Sequence, residues 1–124
     1  MRRRRVGQAA YAARAVVAFV VVMAGMTGSI SSAVAVDTVA AQAIYKANAC
    51  ASCHMVDRKL VGPAYRDIAA KYKNDAGAQA RLEKVVKNGG AGVWGAIPMP
   101  SHPRMSDADI RTVVQWILAG APQK

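Results

Sequence analysis

Beyond residue 36, hydrophobic residues recur at helical spacing in four segments separated by polar or glycine-containing stretches. The clearest segment follows Ser106, where apolar residues repeat at i, i+3, i+4 and i+7 and predict an amphipathic helix that Gly120 ends. Ser106 is its expected N-cap. The residues of this apolar stripe are Ile110, Val113, Val114, Ile117 and Leu118, and Trp116 is expected at its edge.

Shorter patterns predict three earlier helices, over about 37–50, 64–73 and 76–87. Asp37 or Thr38 can cap the first, and Asn74 or Asp75 the third. Val39, Ala43, Ile44 and Ala47 are the expected buried positions of the first helix, and Ala78, Leu82, Val85 and Val86 those of the third. No strand pattern is present beyond residue 36, so the sequence predicts one small all-α domain.

Residues 89–103 (GGAGVWGAIPMPSHP) contain four glycines and three prolines, a composition that excludes helix and regular strand. A loop this long in a small domain is usually functional or disordered. Its apolar residues, which include Trp94 and Met99, indicate that it packs on something, and a flat apolar cofactor would serve. Met99 lies between Pro98 and Pro100, so the backbone that presents its thioether is stiff.

The first 35 residues resemble an export signal. Arg2 to Arg5 form a basic region, residues 15–26 form an apolar region, and Ala33-Val34-Ala35 offers an A-x-A cleavage site. The apolar run is short of the about 20 residues of a membrane span. We therefore predict a cleaved Sec signal peptide, 1–35, and a domain over 36–124, with an uncleaved N-terminal anchor as the alternative.

Charge adds little to this picture. The chain carries 17 basic and 7 acidic residues, and removal of residues 1–35 takes away five of the basic ones, leaving a formal charge of +5. The remaining lysines and arginines are dispersed, without a basic tract, which argues against a nucleic-acid partner. A domain this short buries a modest core by itself.

The chemistry is concentrated in Cys50-Ala51-Ser52-Cys53-His54, a C-x-x-C-H motif. Two thiols at this spacing can each add to a haem vinyl group, and the following histidine can then offer a ring nitrogen to the iron. A backbone carbonyl of the Gly62-Pro63 loop could accept the proton of the other ring nitrogen and orient the imidazole.

Three other interpretations of the motif are weaker. A zinc site normally needs four Cys or His ligands, and His102 lies far from the motif in sequence. A disulfide closing so short a loop would constrain the unfolded chain little. A thiol–disulfide exchange site is the serious rival, but that fold needs a βαβ pattern around the motif.

Met99 lies 45 residues beyond His54 and is the preferred second ligand of the iron. Met55 is too close to His54 to reach the opposite face, and Met105 is expected to pack as a hydrophobic staple before the last helix. His102 is the alternative ligand if Met99 were displaced.

Taken together, CASCH (50–54), VGPAYRDIAAKY (61–72), KNGGAGVWGAIPMP (87–100) and the C-terminal helix through Trp116 make the chain resemble class I c-type cytochromes, specifically the small bacterial c-551/c-552 type, over nearly all of 38–119. The resemblance implies an all-α fold of about four short helices wrapped around one covalent haem c. It implies thioethers from Cys50 and Cys53, His54 and Met99 as axial ligands, the Pro63 carbonyl on His54, and the Trp94 indole on a haem propionate.

Two positions depart from that family pattern. Val85 stands where an arginine can reach a propionate, and His102 stands where an asparagine can touch the ligand sulfur.

The function expected from these features is a periplasmic, soluble, monomeric electron carrier rather than an enzyme, with no stable membrane insertion after cleavage. The resemblance implies redox partners such as cytochrome bc1, nitrite reductase or a terminal oxidase. Two alternatives belong to other classes: a five-coordinate haem protein that binds gases or acts on peroxide, and an exported thiol–disulfide oxidoreductase without haem.

Overall fold

Four α-helices form the described part of the chain, and they confirm the all-α prediction. The structure is a computed structural model and describes residues 35–124, so the predicted signal peptide lies outside the described residues except for Ala35. No helix among the described residues is long and apolar enough to cross a membrane. The elements are α1 (Thr38–Ala47), a 3₁₀ turn (Cys50–Ser52), α2 (Tyr65–Lys71), α3 (Ala78–Asn88) and α4 (Asp107–Leu118).

The first and last helices begin at predicted N-caps. The Asp37 carboxylate accepts a hydrogen bond from the Ala40 amide at 2.9 Å, and the Ser106 hydroxyl accepts one from the Asp109 amide at 3.0 Å. Each bond satisfies one of the amides that a helix start leaves without a partner within the helix. These two local signals therefore define where α1 and α4 start.

The predicted cap of α3 is wrong. The N-cap is Gly77, which makes no side-chain capping bond, and the helix starts at Ala78 rather than Ala76. Asp75 instead accepts the Gly77 amide at 2.8 Å and pairs with Arg81 at 2.5 Å. The Arg81 guanidinium, with that amide, holds the pKa of the Asp75 carboxyl below its usual range. The sequence predicted Asp75 as a possible cap of α3, but its carboxylate stabilises a local turn instead.

α1 differs from its prediction in length and in its buried face. The helix ends at Ala47, so the cysteines lie on the separate 3₁₀ turn rather than on its last turns. Val39 is 79% exposed, whereas Ala41 is fully buried. α1 packs against α4, and the small Ala41 side chain permits close approach of the two backbones. Because α1 is rich in alanine, its sequence pattern is compatible with burial of more than one face of the helix.

α4 lies at the centre of the fold and packs against all three other helices. Its Val113, Val114 and Trp116 are the largest fully buried side chains. Burial of Trp116 corrects the prediction that it lies at the edge of the stripe. Residues beyond the helix cover it, because its indole N–H donates to the Pro122 carbonyl at 2.8 Å and Ala121 is itself fully buried.

Candidate functional site

A cavity of about 400 Å³ opens between the 3₁₀ turn, helices α2 to α4 and the segment 89–103. Its walls are predominantly apolar and include no Lys, Arg, Asp or Glu. The cavity brings together all six residues that the sequence singled out, which are Cys50, Cys53, His54, Pro63, Trp94 and Met99. His102 and Val85 also line it.

The two thiols are presented by an abrupt change of backbone direction after α1. Ala49 adopts a left-handed conformation with φ 57°, and the 3₁₀ turn follows at once. Amides of Cys53 and His54 both donate to the Cys50 carbonyl, at 3.1 and 2.9 Å. Both cysteines are free and half-buried, and burial raises the pKa of the Cys50 thiol. The turn therefore places two thiols and an imidazole along one side of the cavity.

His54 is held in a defined orientation and tautomer. Its side chain is almost completely buried, and Nδ1 lies 2.8 Å from the Pro63 carbonyl oxygen. A carbonyl oxygen can only accept, so Nδ1 carries the proton and donates it. The other ring nitrogen, Nε2, then keeps its lone pair for a metal. This is the carbonyl contact that the sequence led us to expect from the Gly62-Pro63 loop.

The backbone at Gly62 packs directly on the His54 ring. A Cβ atom added at Gly62 would lie 2.8 Å from Nδ1 and 2.9 Å from Nε2 of that ring. The Gly62 amide also donates to the Cys53 carbonyl at 2.8 Å, which fixes the loop against the motif. Only glycine leaves room for the imidazole at this position.

Gly62→Ala is therefore expected to displace the imidazole and lengthen its bond to Pro63. We expect the free energy of unfolding of the haem-loaded protein to fall by about 2–3 kcal/mol, the range of overpacked cores with a lost hydrogen bond. Guanidinium titration followed by haem absorbance measures it. Gly90→Ala is the matched control, because its Cβ would meet only the two methyl groups of Val85, at an ordinary 3.6 and 3.9 Å. Equal losses in the two variants would contradict the expectation.

Two tyrosines that the sequence analysis did not select support the histidine. The Tyr45 hydroxyl donates to the His54 carbonyl at 2.7 Å, and the Tyr65 ring stacks on the imidazole with centroids 5.2 Å apart. Both tyrosines also pack edgewise or tilted against Trp116 and each other at 5.6–5.8 Å. In the sequence, these tyrosines lie on either side of the C-x-x-C-H motif, on helices whose other residues are mostly small or polar. That pattern could have indicated that they pack against His54.

Met99 is fixed in place by a two-way backbone bridge to Gly90. The Met99 amide donates to the Gly90 carbonyl at 2.7 Å, and the Gly90 amide donates to the Met99 carbonyl at 3.1 Å. Gly89 has φ +77°, and a Cβ there would lie 2.6 Å from the Met99 carbonyl oxygen. The glycines thus permit the close approach that places the half-buried Met99 in the cavity wall.

His102 is anchored by its backbone, since its amide donates to the Val86 carbonyl at 3.0 Å at the end of α3. Its half-buried side chain lines the same cavity as Met99. Both candidate second ligands are therefore present at the site.

The mouth of the cavity exposes large apolar side chains from segment 89–103. Val93 is 62%, Trp94 39% and Ile97 68% exposed. Lys71 Nζ lies 5.6 Å from the centroid of the Trp94 ring, within the range of a cation–π contact. Exposed apolar side chains around an apolar cavity lose unfavourable contact with water when a large flat apolar group fills the cavity.

The residues of the site fit a haem. The wall provides apolar surface for a macrocycle, two thiols at the spacing that forms thioethers, an imidazole with a free lone pair, and a thioether sulfur. A zinc site fits less well, because residues 35–124 contain no group of three or more His, Cys, Asp or Glu placed to hold a metal.

Comparison with known proteins agrees with this chemistry. The family model for cytochrome c matches residues 38–121. The chain is 46% identical to cytochrome c-551 of Pseudomonas aeruginosa over 78 residues, and this matched region covers 63% of this chain and 74% of that one. It is 52% identical over 69 residues to cytochrome c-551 of Allochromatium vinosum, covering 56% and 73%. The crystal structure of Nitrosomonas europaea cytochrome c552 superposes with a TM-score of 0.61 at 46% identity, covering 63% of this chain and 96% of that one.

The match at 38–121 includes every residue that lines the cavity. The chain therefore belongs to the cytochrome c family and is a small monohaem electron carrier of the c-551/c-552 type, with covalently bound haem c.

Proposed function

We propose that this cytochrome is a periplasmic one-electron carrier of a respiratory chain and not an enzyme, with a haem ligated by His54 and Met99. The observation that carries the proposal is the bond from His54 Nδ1 to the Pro63 carbonyl, which leaves Nε2 free in a cavity that Met99 also lines. Haem supplies a one-electron couple between Fe(II) and Fe(III) when bound.

Four side chains are proposed to bind the haem. Cys50 and Cys53 provide the two thioether sulfurs, and His54 and Met99 provide one nitrogen and one sulfur to the iron. With His54 and Met99 both bound, the iron would have no position left for a substrate, which supports a carrier rather than a catalyst. The soft sulfur of Met99 favours the reduced state and raises the reduction potential.

The Trp94 indole N–H is the proposed donor to a haem propionate. Trp94 lines the cavity and is partly exposed at its mouth, where a charged carboxylate keeps contact with water. The apolar groups of the wall exclude water from the rest of the group. These residues would hold a haem with its carboxylates at the mouth of the cavity.

An exposed apolar patch at the mouth is the proposed exit for electrons. It contains Leu60 (48% exposed), Val61 (47%) and Ile97 (68%), with Ala51 and Pro100 also exposed. A patch of this kind suits a small, short-lived contact. The exposed Arg58 and Lys59 beside it can steer acidic partner surfaces. Cytochrome bc1 as donor, and nitrite reductase or a terminal oxidase as acceptor, are the proposed partners of a monomer.

Residues 1–35 are the proposed cleaved Sec signal peptide, and 36–124 the exported domain. The basic run, the apolar run and the A-x-A site support this, and the family match at 38–121 begins just after the proposed cleavage point. A periplasmic location follows from export, and the cleaved protein keeps no anchor in the membrane.

The visible spectrum of protein expressed with a haem c maturation system tests the proposal. We expect sharp bands in the reduced protein and a weak band at the red end of the oxidised spectrum, the mark of iron–thioether bonding. Strong carbon monoxide binding by the untreated reduced protein would instead indicate a five-coordinate, gas-binding protein. Titratable thiols and no haem absorbance would indicate a thiol–disulfide oxidoreductase.

A further inference from the structure

We propose that Lys71 is the cation that balances the negative charge of the haem propionates in this protein. The inference rests on the proposed function, because it requires haem to fill the cavity with its propionates beside Trp94. It adds a residue that lies outside the cavity wall and that the sequence analysis did not select.

The wall of the cavity provides no charge that could pair with a propionate. Haem c carries two carboxylates, which are ionised at neutral pH, yet no lysine, arginine or other charged side chain lines the cavity. An opposite charge near a carboxylate at the mouth of the cavity favours its ionised form, even where the carboxylate keeps contact with water. Because the wall holds no such charge, it would come from a side chain at the rim.

Lys71 is the last residue of α2 and lies at the rim of the cavity. Its Nζ lies 5.6 Å from the Trp94 ring centroid and 5.9 Å from the Tyr72 ring centroid, and both rings line the cavity. The exposed side chain thus extends along the rim, with its ammonium group near both rings. Its ammonium group is held beside the indole that is the proposed propionate donor.

Among the described residues, Lys71 and Arg81 are the cations that lie over the Tyr72 or Trp94 ring, and of these two only Arg81 is paired with a carboxylate. Within residues 35–124 the ion pairs are those of Arg81, Lys87 and Arg111 with carboxylates, and Lys71 takes part in none of them. Arg81 also lies over the Tyr72 ring at 5.9 Å, but Asp75 already neutralises it. On α3, Val85 presents an apolar side chain to the cavity. Lys71 is the lysine that the structure places on Trp94 with its charge still available.

A cation at this position affects the reduction potential of the haem. A positive charge near the propionates offsets negative charge that would otherwise stabilise Fe(III), so Lys71 favours the reduced state. Its removal should lower the midpoint potential. Because the pair lies at the rim, added salt should screen much of the effect.

The test is an equilibrium redox titration of the purified holoprotein at low ionic strength, with Lys71→Gln, Lys71→Arg and the control Lys73→Gln. Lys73 is exposed two residues further on and does not line the cavity. We expect Lys71→Gln to shift the reduction equilibrium about threefold toward Fe(III), which is about 28 mV at 59 mV per tenfold change. Lys73→Gln should shift it less than half as far, and Lys71→Arg should keep the wild-type potential.

A second readout reports on the carboxylates themselves. The propionate bending band in the resonance Raman spectrum should move in Lys71→Gln and stay in place in Lys73→Gln. Equal midpoints for the two glutamine variants, or an unmoved propionate band in Lys71→Gln, would overturn the assignment of Lys71. Failure of the wild-type chain to bind haem would instead overturn the proposed function, so the two failures are distinguishable.

Discussion

The Cys50→Ala/Cys53→Ala double variant, freed of haem, is expected to lose its cooperative fold. The cavity of about 400 Å³ lies among the side chains of the core, and Val113, Val114 and Ile117 line it. Without haem the apolar wall of this cavity faces water, so the burial of apolar surface that stabilises the loaded protein is lost. The entire stability of a small domain is only about 5–15 kcal/mol, so a loss of this kind is large by comparison. The rest of the core is too small to offset it.

Far-ultraviolet circular dichroism with a thermal scan measures this loss. The double variant should show little helix and no cooperative transition, whereas the haem-loaded parent protein should show both. Ser52→Ala is the matched control, because Ser52 is exposed on the same 3₁₀ turn and its replacement leaves both thiols in place. A haem-free double variant that kept native helix content and unfolded cooperatively would show that the protein part of the core suffices.

The parts of the site that the sequence predicted are those whose chemistry is local. C-x-x-C-H places Cys50, Cys53 and His54 within five positions, so no tertiary information is needed to group them. Met99 was predicted as a ligand because it follows the C-x-x-C-H motif by 45 residues and its two flanking prolines restrict the backbone. The cavity then brings all of these residues together, as expected from a haem site.

The features that were missed depend on tertiary packing. Tyr45 donates to the His54 carbonyl nine residues away, a contact that exists only because the chain turns at Ala49. Trp116 is buried by residues beyond its own helix, which periodicity within the helix cannot reveal. The same limit explains α1, where the close crossing with α4 selects Ala41 over Val39 as the buried residue.

Segment 89–103 shows how both kinds of information combine. Its composition excluded regular structure, which the structure bears out apart from a single bridge between Gly90 and Met99. The reason for Gly89 became clear only in three dimensions, since its positive φ and its contact with the Met99 carbonyl together exclude a side chain. The glycines are therefore part of the machinery that presents Met99.

Met99→Leu is expected to remove the proposed bond between the Met99 sulfur and the iron while it preserves the volume and apolar character of the wall. The weak red band of the oxidised protein should disappear, and the reduced protein should now bind carbon monoxide. The midpoint potential should fall by on the order of 100 mV, because axial ligands set haem potentials over a range of about 0.8 V. Visible spectroscopy and redox titration measure the three changes.

Met105→Leu is the matched control, because Met105 is buried in the core and does not line the cavity. It should keep the red band, the resistance to carbon monoxide and the potential. His102 could replace the lost sulfur as a ligand. In that case Met99→Leu will lose the red band yet still resist carbon monoxide. Adding His102→Gln to this variant should then allow carbon monoxide to bind the iron. A red band that survives in Met99→Leu would show that Met99 is not the ligand, whatever the behaviour of the other two variants.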